Sequence, residues 1–486
     1  MNLLELKQIL NGAQVHNSAD VEIRGLTSDS RRVEKGFLFV AIRGTVQDGH
    51  RYVPDAIRNG AVAVLTEEDI EVPSHVCRIR VPDTRKALAS VGCKFYGNPS
   101  AKMTVVGVTG TNGKTTTTHL VKSILDASGC ETGLIGTVGY RIGRRNVPST
   151  MTTPDAVDIQ ALLAQMLAEN IRCAAIEVSS HALSQYRTEG VHIACAVFTN
   201  LTQDHLDYHR TMEEYLATKA RLFEGLDKGA MAVLNADDPA SERLASVTKA
   251  KIIRYGMKNP ADITADIRRI STEGVVLDLG APDGIVRIES SLLGVHNVYN
   301  ILAAAGAACA IGVKLPFIKV GVEALPHVPG RLEPVLCGQK FTLLVDYAHT
   351  PDALESVLRT VRQLTDKRVI VVFGCGGDRD RTKRPIMGRA AEQMADLCWV
   401  TSDNPRTEDP RAIIEGILSG MQRRESHHVQ PDRAAAIAEA VAAAQEGDVV
   451  LIAGKGHERY QIFADRVVPF DDRDVARKAI EALAGS

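Results

Sequence analysis

Residues 108–120 read VTGTNGKTTTTHL. An apolar stretch, MTVVGVTG (103–110), runs straight into them, and an amphipathic helical pattern, THLVKSILDAS, leaves them. A strand, a glycine-rich turn and a helix start together make an anion site. Backbone N–H groups at a helix N-terminus point outward and carry the positive end of the helix dipole. The common phosphate-loop pattern places glycine five residues before the Gly-Lys-Ser/Thr. That position is Val108, and the glycine stands at 110 instead. Gly110 and Gly113 let the backbone curl close to phosphate, with Thr111 and Asn112 between them. Lys114 can reach the β and γ oxygens, the Thr115 hydroxyl can ligate Mg²⁺, and Thr116 follows on the first helical turn. On residues alone two readings stay open: an ATP loop, or a plain strand–helix turn. Lys-Thr placed at the helix start favours the first.

Outward from the loop, CAAIEVSS (173–180), ACAVFTN (194–200) and MAVLNAD (231–237) are short continuous apolar runs separated by helical stretches. That pattern predicts a mainly parallel sheet covered on both faces. Upstream, FLFVAIRG (37–44) and AVAVLTE (61–67) alternate with polar turns. Downstream of LPHVPGRLEPV (325–335), whose prolines and glycine suit a hinge, four more runs alternate with helices: TLLVDYAH (342–349), RVIVVFGCGG (368–377), LCWVTSDNP (397–405) and DVVLIAGKGH (448–457). The fold class expected is α/β with three domains. These are a small N-terminal α/β domain (1–98), a central P-loop-type ATPase domain with a mainly parallel sheet (99–327), and a C-terminal doubly wound, Rossmann-like domain (328–486).

The 486 residues are 45% apolar and 24% charged with a formal net charge of −2. This is a soluble globular balance with no basic excess that would mark nucleic acid as a partner. MNLLELKQIL at the N-terminus carries Glu5 and Lys7 and reads as an amphipathic helix, not a signal peptide. The longest apolar run, 301–313, is too short to span a bilayer, so no membrane insertion is expected. Nine cysteines are scattered without a CxxC pair, which predicts reduced thiols and a cytoplasmic location.

Further candidates stand at strand ends, where open α/β sheets bind ligands. Glu177 ends CAAIEV, and TNLTQDHLDYH (199–209) places Asp204, His205, Asp207 and His209 just past another run. Three strand ends thus deliver Lys/Thr, Glu and His, a combination that favours a metal–ATP site over unrelated surface groups.

With GTNGKTTT, EVSSH, TNLTQDHLDYH, GVHNVYNILAA, GRLE and VDYAHTPDAL in this order, the chain resembles the Mur ligase family along essentially its whole length. Those are ATP-dependent amide-forming enzymes of peptidoglycan precursor synthesis. The resemblance implies that Lys114, Lys219, Glu177 and His205 serve catalysis. It also implies that Thr115, Glu177, His205 and Lys219 hold Mg²⁺, Lys219 as a carbamate derived from CO₂. Without the resemblance, Lys219 reads as a solvated helix lysine. Asn297, Asn300, Arg331 and Asp346 match the ATP-binding set. Because the last two lie beyond the hinge, domain closure that excludes water from a reactive intermediate is expected.

The segment 26–52 is similar to the UDP-binding stretch of members that add the third peptide residue. The resemblance places Ser28, Ser30, Thr45, Val46 and Gln47 at the UDP portion, and Thr152, Thr153, Ser179, Gln185 and Arg187 at the UDP-sugar-dipeptide. Each, taken singly, reads equally well as a polar turn residue. Asp403, Asn404, Pro405 and Arg406 spell DNPR, which resembles the signature of members that add meso-diaminopimelate. An arginine fork can grip the distal carboxylate that lysine lacks. Arg379, Gly454 and Glu458 are expected in the same pocket. Read alone, DNPR favours a turn capped by Asp403. HERYQ (457–461) fails the zinc motif HExxH because residue 461 is glutamine.

The function expected is an ATP-dependent ligase acting through an acyl phosphate on UDP-N-acetylmuramoyl-L-alanyl-D-glutamate and meso-diaminopimelate, as a monomer. Three alternatives stay open: an L-lysine-adding relative, a folylpolyglutamate synthase, for which the UDP-type segment has no use, and an NTPase switch without ligase activity.

Overall fold

The computed structural model describes residues 1–10, 12–17, 22–44, 47–149 and 151–484. Two compact units divide the chain: Met1–Ala261 with Ala303–Lys314, and Asp262–Leu302 with Leu315–Ser486. The boundary passes through the helix Val295–Ala310.

The first unit holds two sheets. β1 (Gln14–His16), β2 (Gly25–Thr27), β3 (Phe37–Val40), β4 (Ala61–Thr66) and β5 (Cys77–Arg80) form one of them in the order β1-β5-β4-β3-β2. All its pairs are parallel except β1 with β5. The second sheet comprises β6 (Thr104–Thr109), β7 (Thr132–Gly136), β8 (Gly139–Ile142), β9 (Arg145–Val147), β10 (Cys173–Glu177), β11 (Cys195–Phe198), β12 (Met231–Asn235) and β13 (Lys251–Tyr255). Its order is β13-β12-β11-β6-β10-β7-β8-β9, parallel from β13 to β7, with β8 and β9 added antiparallel. Strands β6, β10 and β11 are fully buried on both faces apart from Thr104, which is why they read as continuous apolar runs. Register sets the site: β10 pairs Glu177 with Val108, and β11 pairs Phe198 with Thr109. Both neighbouring strands therefore end beside the phosphate loop.

The expectation that every cysteine is a reduced thiol is corrected. Cys130, just before β7, and Cys173, the first residue of β10, form a disulfide with Cα atoms 6.5 Å apart. The cause is the parallel pairing of those strands, with Cys173 opposite Thr132, a proximity that sequence spacing does not show. The other seven cysteines are not paired in a disulfide.

The second unit begins with an antiparallel meander that the search for continuous apolar runs passed over: β14 (Thr264–Ser271), β15 (Gly274–Ala281) and β16 (Gly284–Ser290). Its outer strands carry charged residues; β14 has no fully buried residue and β16 only two, so no unbroken apolar run marks them. β17 (Glu333–Pro334), β18 (Thr342–Asp346), β19 (Val369–Phe373), β20 (Leu397–Val400), β21 (His427–Val429) and β22 (Val449–Ala453) then form a sheet ordered β17-β18-β22-β19-β20-β21, with only β17 antiparallel. Its strands alternate between two cores. Leu344, Val369, Val371 and Leu451 face Leu354, Leu358 and Val361. Leu343, Ile370, Val372 and Val450 face Ala436, Ile437 and Val441. That is the doubly wound pattern the sequence predicted. A hairpin of β23 (Tyr460–Ile462) and β24 (Val467–Pro469) follows.

Candidate functional site

The phosphate loop joins β6 to the helix Lys114–Ala127, whose N-cap is Gly113 at φ +86°. The segment after β11 laces it down. Thr111 N–H donates to Asn200 O (2.8 Å), Asn112 N–H to Asn200 Oδ1 (3.0 Å), and Thr199 Oγ1 to Asn112 O (2.6 Å). This packing explains Gly110. Its φ is +150°, and a Cβ there would lie 1.8 Å from Thr199 Oγ1, so no side chain fits.

Two lysines converge on that glycine. Lys114 Nζ donates to Gly110 O (2.8 Å) and Thr111 O (2.7 Å), and Lys219 Nζ donates to the same Gly110 O (3.0 Å). Lys219 is not the solvated lysine its helix, Met212–Glu224, suggested: it is 1% exposed, with Nζ 4.2 Å from the Tyr215 ring centre. Burial, and then the nearby Lys114 ammonium, hold its pKa well below the usual lysine value, with Asp204 opposing. Tyr215 also reaches the loop through its hydroxyl, 3.3 Å from Thr111 Oγ1, and burial pushes that phenol up to about 12.

Thr115 and Glu177 are in contact: the threonine hydroxyl donates to Glu177 Oε2 (3.0 Å). Thr137 fixes the same carboxylate through its hydroxyl (2.9 Å) and its N–H (2.8 Å). A hydroxyl and a carboxylate side by side fit a hard cation such as Mg²⁺. His205, at φ +54°, has its ring 4.9 Å from His181, and Asp204 lies 3.6 Å from Nε2. His209 is buried with Nε2 2.9 Å from Ser180 Oγ. Among the described residues no group of three or more His, Cys, Asp or Glu side chains is arranged to hold a metal. The expected Mg²⁺ set is different in kind, because it counts a hydroxyl and a lysine-borne carbamate.

A second cluster lies in the same unit. Thr153 Oγ1 donates to Glu177 O (2.7 Å) and accepts from Ser179 N–H (3.1 Å), while the Thr152 and Thr137 hydroxyl oxygens lie 3.0 Å apart. Arg187 donates to Thr153 O (2.8 Å) and to Gln185 Oε1 (2.8 Å). Arg85 from the N-terminal sheet's helix Thr84–Phe95 reaches Gln185 Oε1 (3.4 Å) and Arg43 O (3.2 Å). Five expected substrate residues are thus linked to each other and to the N-terminal sheet, and Arg85 joins them unforeseen. Ser28 and Ser30 flank the turn after β2, and Gln47 accepts from the Tyr52 hydroxyl (2.8 Å). Thr45 and Val46 lie outside the described residues.

In the second unit, Asn297 donates to Leu293 O (2.8 Å) and accepts from Asn300 (2.9 Å). Asp346 accepts N–H groups from Leu332 (2.7 Å) and Ala348 (2.8 Å), and burial raises its pKa against the pull of Arg331. Arg331 stacks over the Tyr347 ring at 5.2 Å. The DNPR residues Asp403, Asn404 and Pro405 are buried and Arg406 half-buried, past the end of β20. The glycine-rich turn 374–377 after β19 lies against them. Arg406 Nη1 donates to Gly377 O (2.7 Å), and a Cβ at Gly376 would come within 2.9 Å of Arg406 Nη1 and 3.9 Å of Arg379 Cγ. Asn404 Nδ2 donates to Glu458 Oε2 (2.9 Å), and Gly454, at φ +117°, lets Asp403 Oδ2 approach to 2.9 Å of where its Cβ would stand. The seven residues expected at the acceptor therefore gather around the ends of β19, β20 and β22.

Family profiles match in three consecutive blocks. The Mur ligase family catalytic domain covers residues 22–96, the Mur ligase middle domain 108–308, and the Mur ligase glutamate ligase domain 330–456. The chain belongs to the Mur ligase family. Among its relatives, the UDP-N-acetylmuramoyl-L-alanyl-D-glutamate–2,6-diaminopimelate ligase of Geobacillus thermodenitrificans is 47% identical, with 99% of each chain covered. The enzyme of the same description from Listeria monocytogenes serovar 1/2a is 45% identical over 100% of each. A solved structure described as that ligase aligns over 100% of both chains with a TM-score of 0.71 and 35% identity. The Mur ligase architecture of three α/β domains, with a mostly parallel central sheet, is the one described above. As a member of a ligase family, the chain is an enzyme. Sequence reasoning missed Thr137, Tyr215 and Lys455. The first two lie outside any motif, whereas Lys455 stood in view inside AGKGHE.

Proposed function

We propose that this Mur ligase joins one amino group of meso-diaminopimelate to the D-glutamate γ-carboxylate of UDP-N-acetylmuramoyl-L-alanyl-D-glutamate, at the expense of ATP. The observation that carries the acceptor is that Arg406, held on Gly377 O, and the Asp403–Asn404–Glu458 cluster gather on adjoining strand ends, with the stem of Arg379 on the same glycine turn: guanidinium for a distal carboxylate, two carboxylates for a distal ammonium. Full-length relatives with that printed activity support the same reading. We assign the division into domains at residues 98 and 327, which keeps each large sheet within one domain.

A carboxylate is a poor acyl donor, so the γ-phosphoryl group of ATP is transferred to it, giving an acyl phosphate and ADP. The amine then attacks the carbonyl carbon, phosphate leaves and a proton is released. Lys114 and the backbone N–H groups from Gly110 to Thr116 hold the phosphates; the roles of Asn297, Asn300, Arg331 and Asp346 toward ATP are assigned from their match to the family's ATP-binding motifs. Thr115, Glu177, His205 and a carbamoylated Lys219 would hold Mg²⁺, which when bound neutralises charge on the transferring phosphoryl group. Burial supports carbamoylation of Lys219, because a depressed pKa favours the neutral amine that attacks CO₂, with loss of one proton. Ser28, Ser30, Thr45, Val46 and Gln47 receive the UDP portion, and Thr152, Thr153, Ser179, Gln185 and Arg187 the sugar-dipeptide.

We assign the enzyme to the cytoplasm, as a monomer without nucleic-acid or membrane partners. Among the described residues no helix is long and apolar enough to cross a membrane. A reducing cytoplasm would hold Cys130 and Cys173 as thiols.

An ATP-dependent screen of diamino acids with the UDP-dipeptide tests the reading, with ADP release and amide product both recorded. Diaminopimelate should be the efficient acceptor. Arg406→Ala should lower kcat/KM for diaminopimelate by about 10- to 100-fold, with little change for L-lysine. Preferred use of lysine would mark a lysine-adding ligase, and ATP hydrolysis without amide would mark an NTPase; either outcome overturns the proposal.

A further inference from the structure

We propose that Lys455 is a positioning residue of the acceptor pocket, whose ammonium fixes Asn404 and Glu458 and cancels one of the two carboxylate charges there. The inference rests on the acceptor reading above. Lys455 is completely buried, two residues beyond the end of β22. Its Nζ donates to Asn404 Oδ1 (3.1 Å) and Glu458 Oε2 (3.0 Å) and lies 3.6 Å from Asp403 Oδ1. Those partners are three of the residues expected to meet diaminopimelate.

The contacts leave the Asn404 amide one orientation. Its oxygen accepts from Lys455 and from Ile462 N–H (3.0 Å), and its nitrogen donates to Glu458 Oε2. Turning the amide over would set its NH₂ against two donors and its oxygen against a carboxylate. Glu458 Oε2 is thereby used twice within the protein, so Lys455 and Asn404 hold the carboxylate from one side. Among the described residues Asp403 Oδ1, which is buried, accepts no hydrogen bond; Lys455 is its ion-pair partner, and the Arg433 guanidinium nearby is already neutralised by Asp472. The charge count follows. Asp403 and Glu458 contribute two negative charges and Lys455 one positive, leaving a single negative charge to receive a single ammonium. Arg379 and Arg406 stand nearby for the carboxylate on the same carbon. Without Lys455 the pocket would hold an uncompensated carboxylate pair, and the Asn404 oxygen would keep Ile462 N–H as its remaining donor, a weaker hold on both groups that meet a zwitterion.

A buried lysine could also serve folding alone, so the test reads the acceptor specifically. Full-length Lys455→Met should raise KM for diaminopimelate by about 10- to 100-fold, with KM for ATP and for the UDP-dipeptide unmoved. Lys455→Arg, which keeps the charge and the donors, should recover part of the loss. A fall in kcat with the diaminopimelate KM unchanged, or an equal rise in all three KM values, would overturn the proposal. Should Lys455→Met fail to fold, Lys455→Gln and Glu458→Gln, singly and together, close a cycle: the loss in Lys455→Gln/Glu458→Gln should be smaller than the product of the two single losses, and a multiplicative result refutes the coupling. A wild-type enzyme that turns over lysine but not diaminopimelate sinks the acceptor reading itself. Wild-type use of diaminopimelate with an unaffected Lys455→Met sinks only this inference.

Discussion

Lys219→Met is expected to lower the rate of amide formation by about 100- to 1,000-fold, with the melting temperature maintained. Methionine fills nearly the same buried volume beside Tyr215 and removes an amine that burial already disfavours as a cation. Lys219→Arg should be just as inactive, because a guanidinium stays charged and cannot take up CO₂. The wild type should lose activity when bicarbonate is stripped and regain it on readdition, whereas neither variant responds. In bicarbonate-free buffer, where Lys219 is the free amine, the pH dependence has a definite sign. The native pKa is lowered, so between it and the unfolded value of about 10.4 the unfolded chain binds the extra proton, and native stability rises with pH across that window. Lys219→Met should flatten this rise in melting temperature measured against pH. Full activity in bicarbonate-free buffer would remove the carbamate from the mechanism.

The second large effect concerns Arg433 and Asp472, both wholly buried, which pair through Nε (2.7 Å) and Nη2 (2.7 Å). Asp472→Ala leaves an unpaired guanidinium in the interior and should destabilise the C-terminal part of the chain by about 3–5 kcal/mol in a denaturant titration. Arg433→Met/Asp472→Leu removes both charges and should recover most of that loss. The pair also supports function, because Arg433 Nη2 donates to Ala453 O (3.0 Å), the residue before Gly454. Its Nη1 lies 3.5 Å from Ser402 O, the residue before Asp403. The double variant should therefore fold well yet show a raised KM for diaminopimelate. A double variant as unstable as Asp472→Ala would locate the stabilisation elsewhere.

Much of this molecule was legible because its parallel strands are buried on both faces. MTVVGVTG, CAAIEV and DVVLIAG announce themselves without alternation, and the loop and strand-end residues sit at their carboxyl ends. β14 to β16 were illegible for the opposite reason, since their outer strands are largely exposed and interrupted by charged residues. Lys219 shows the limit of a local reading. Its helix offers a lysine among Thr218, Ala220 and Arg221, and only the packing against Gly110 O and Tyr215 removes it from water. The segments proposed for the acceptor stood in the sequence as DNPR and residues 453–458, but not that they interlock through Asn404, Glu458 and Lys455, 51 to 54 residues apart.

The bond between Cys130 and Cys173 sits at the opposite margin of the sheet from its chemistry. Cys173 opens the strand that Glu177 closes, and four residues of strand separate them by roughly 13 Å. A reductant acts there as a slackening of the scaffold and leaves the business end undisturbed. The reduced enzyme should melt earlier, having lost roughly 2–4 kcal/mol of loop-closure stabilisation, and should turn over at the rate of the oxidised one. Thiol state and catalysis are insulated from each other by the length of one strand.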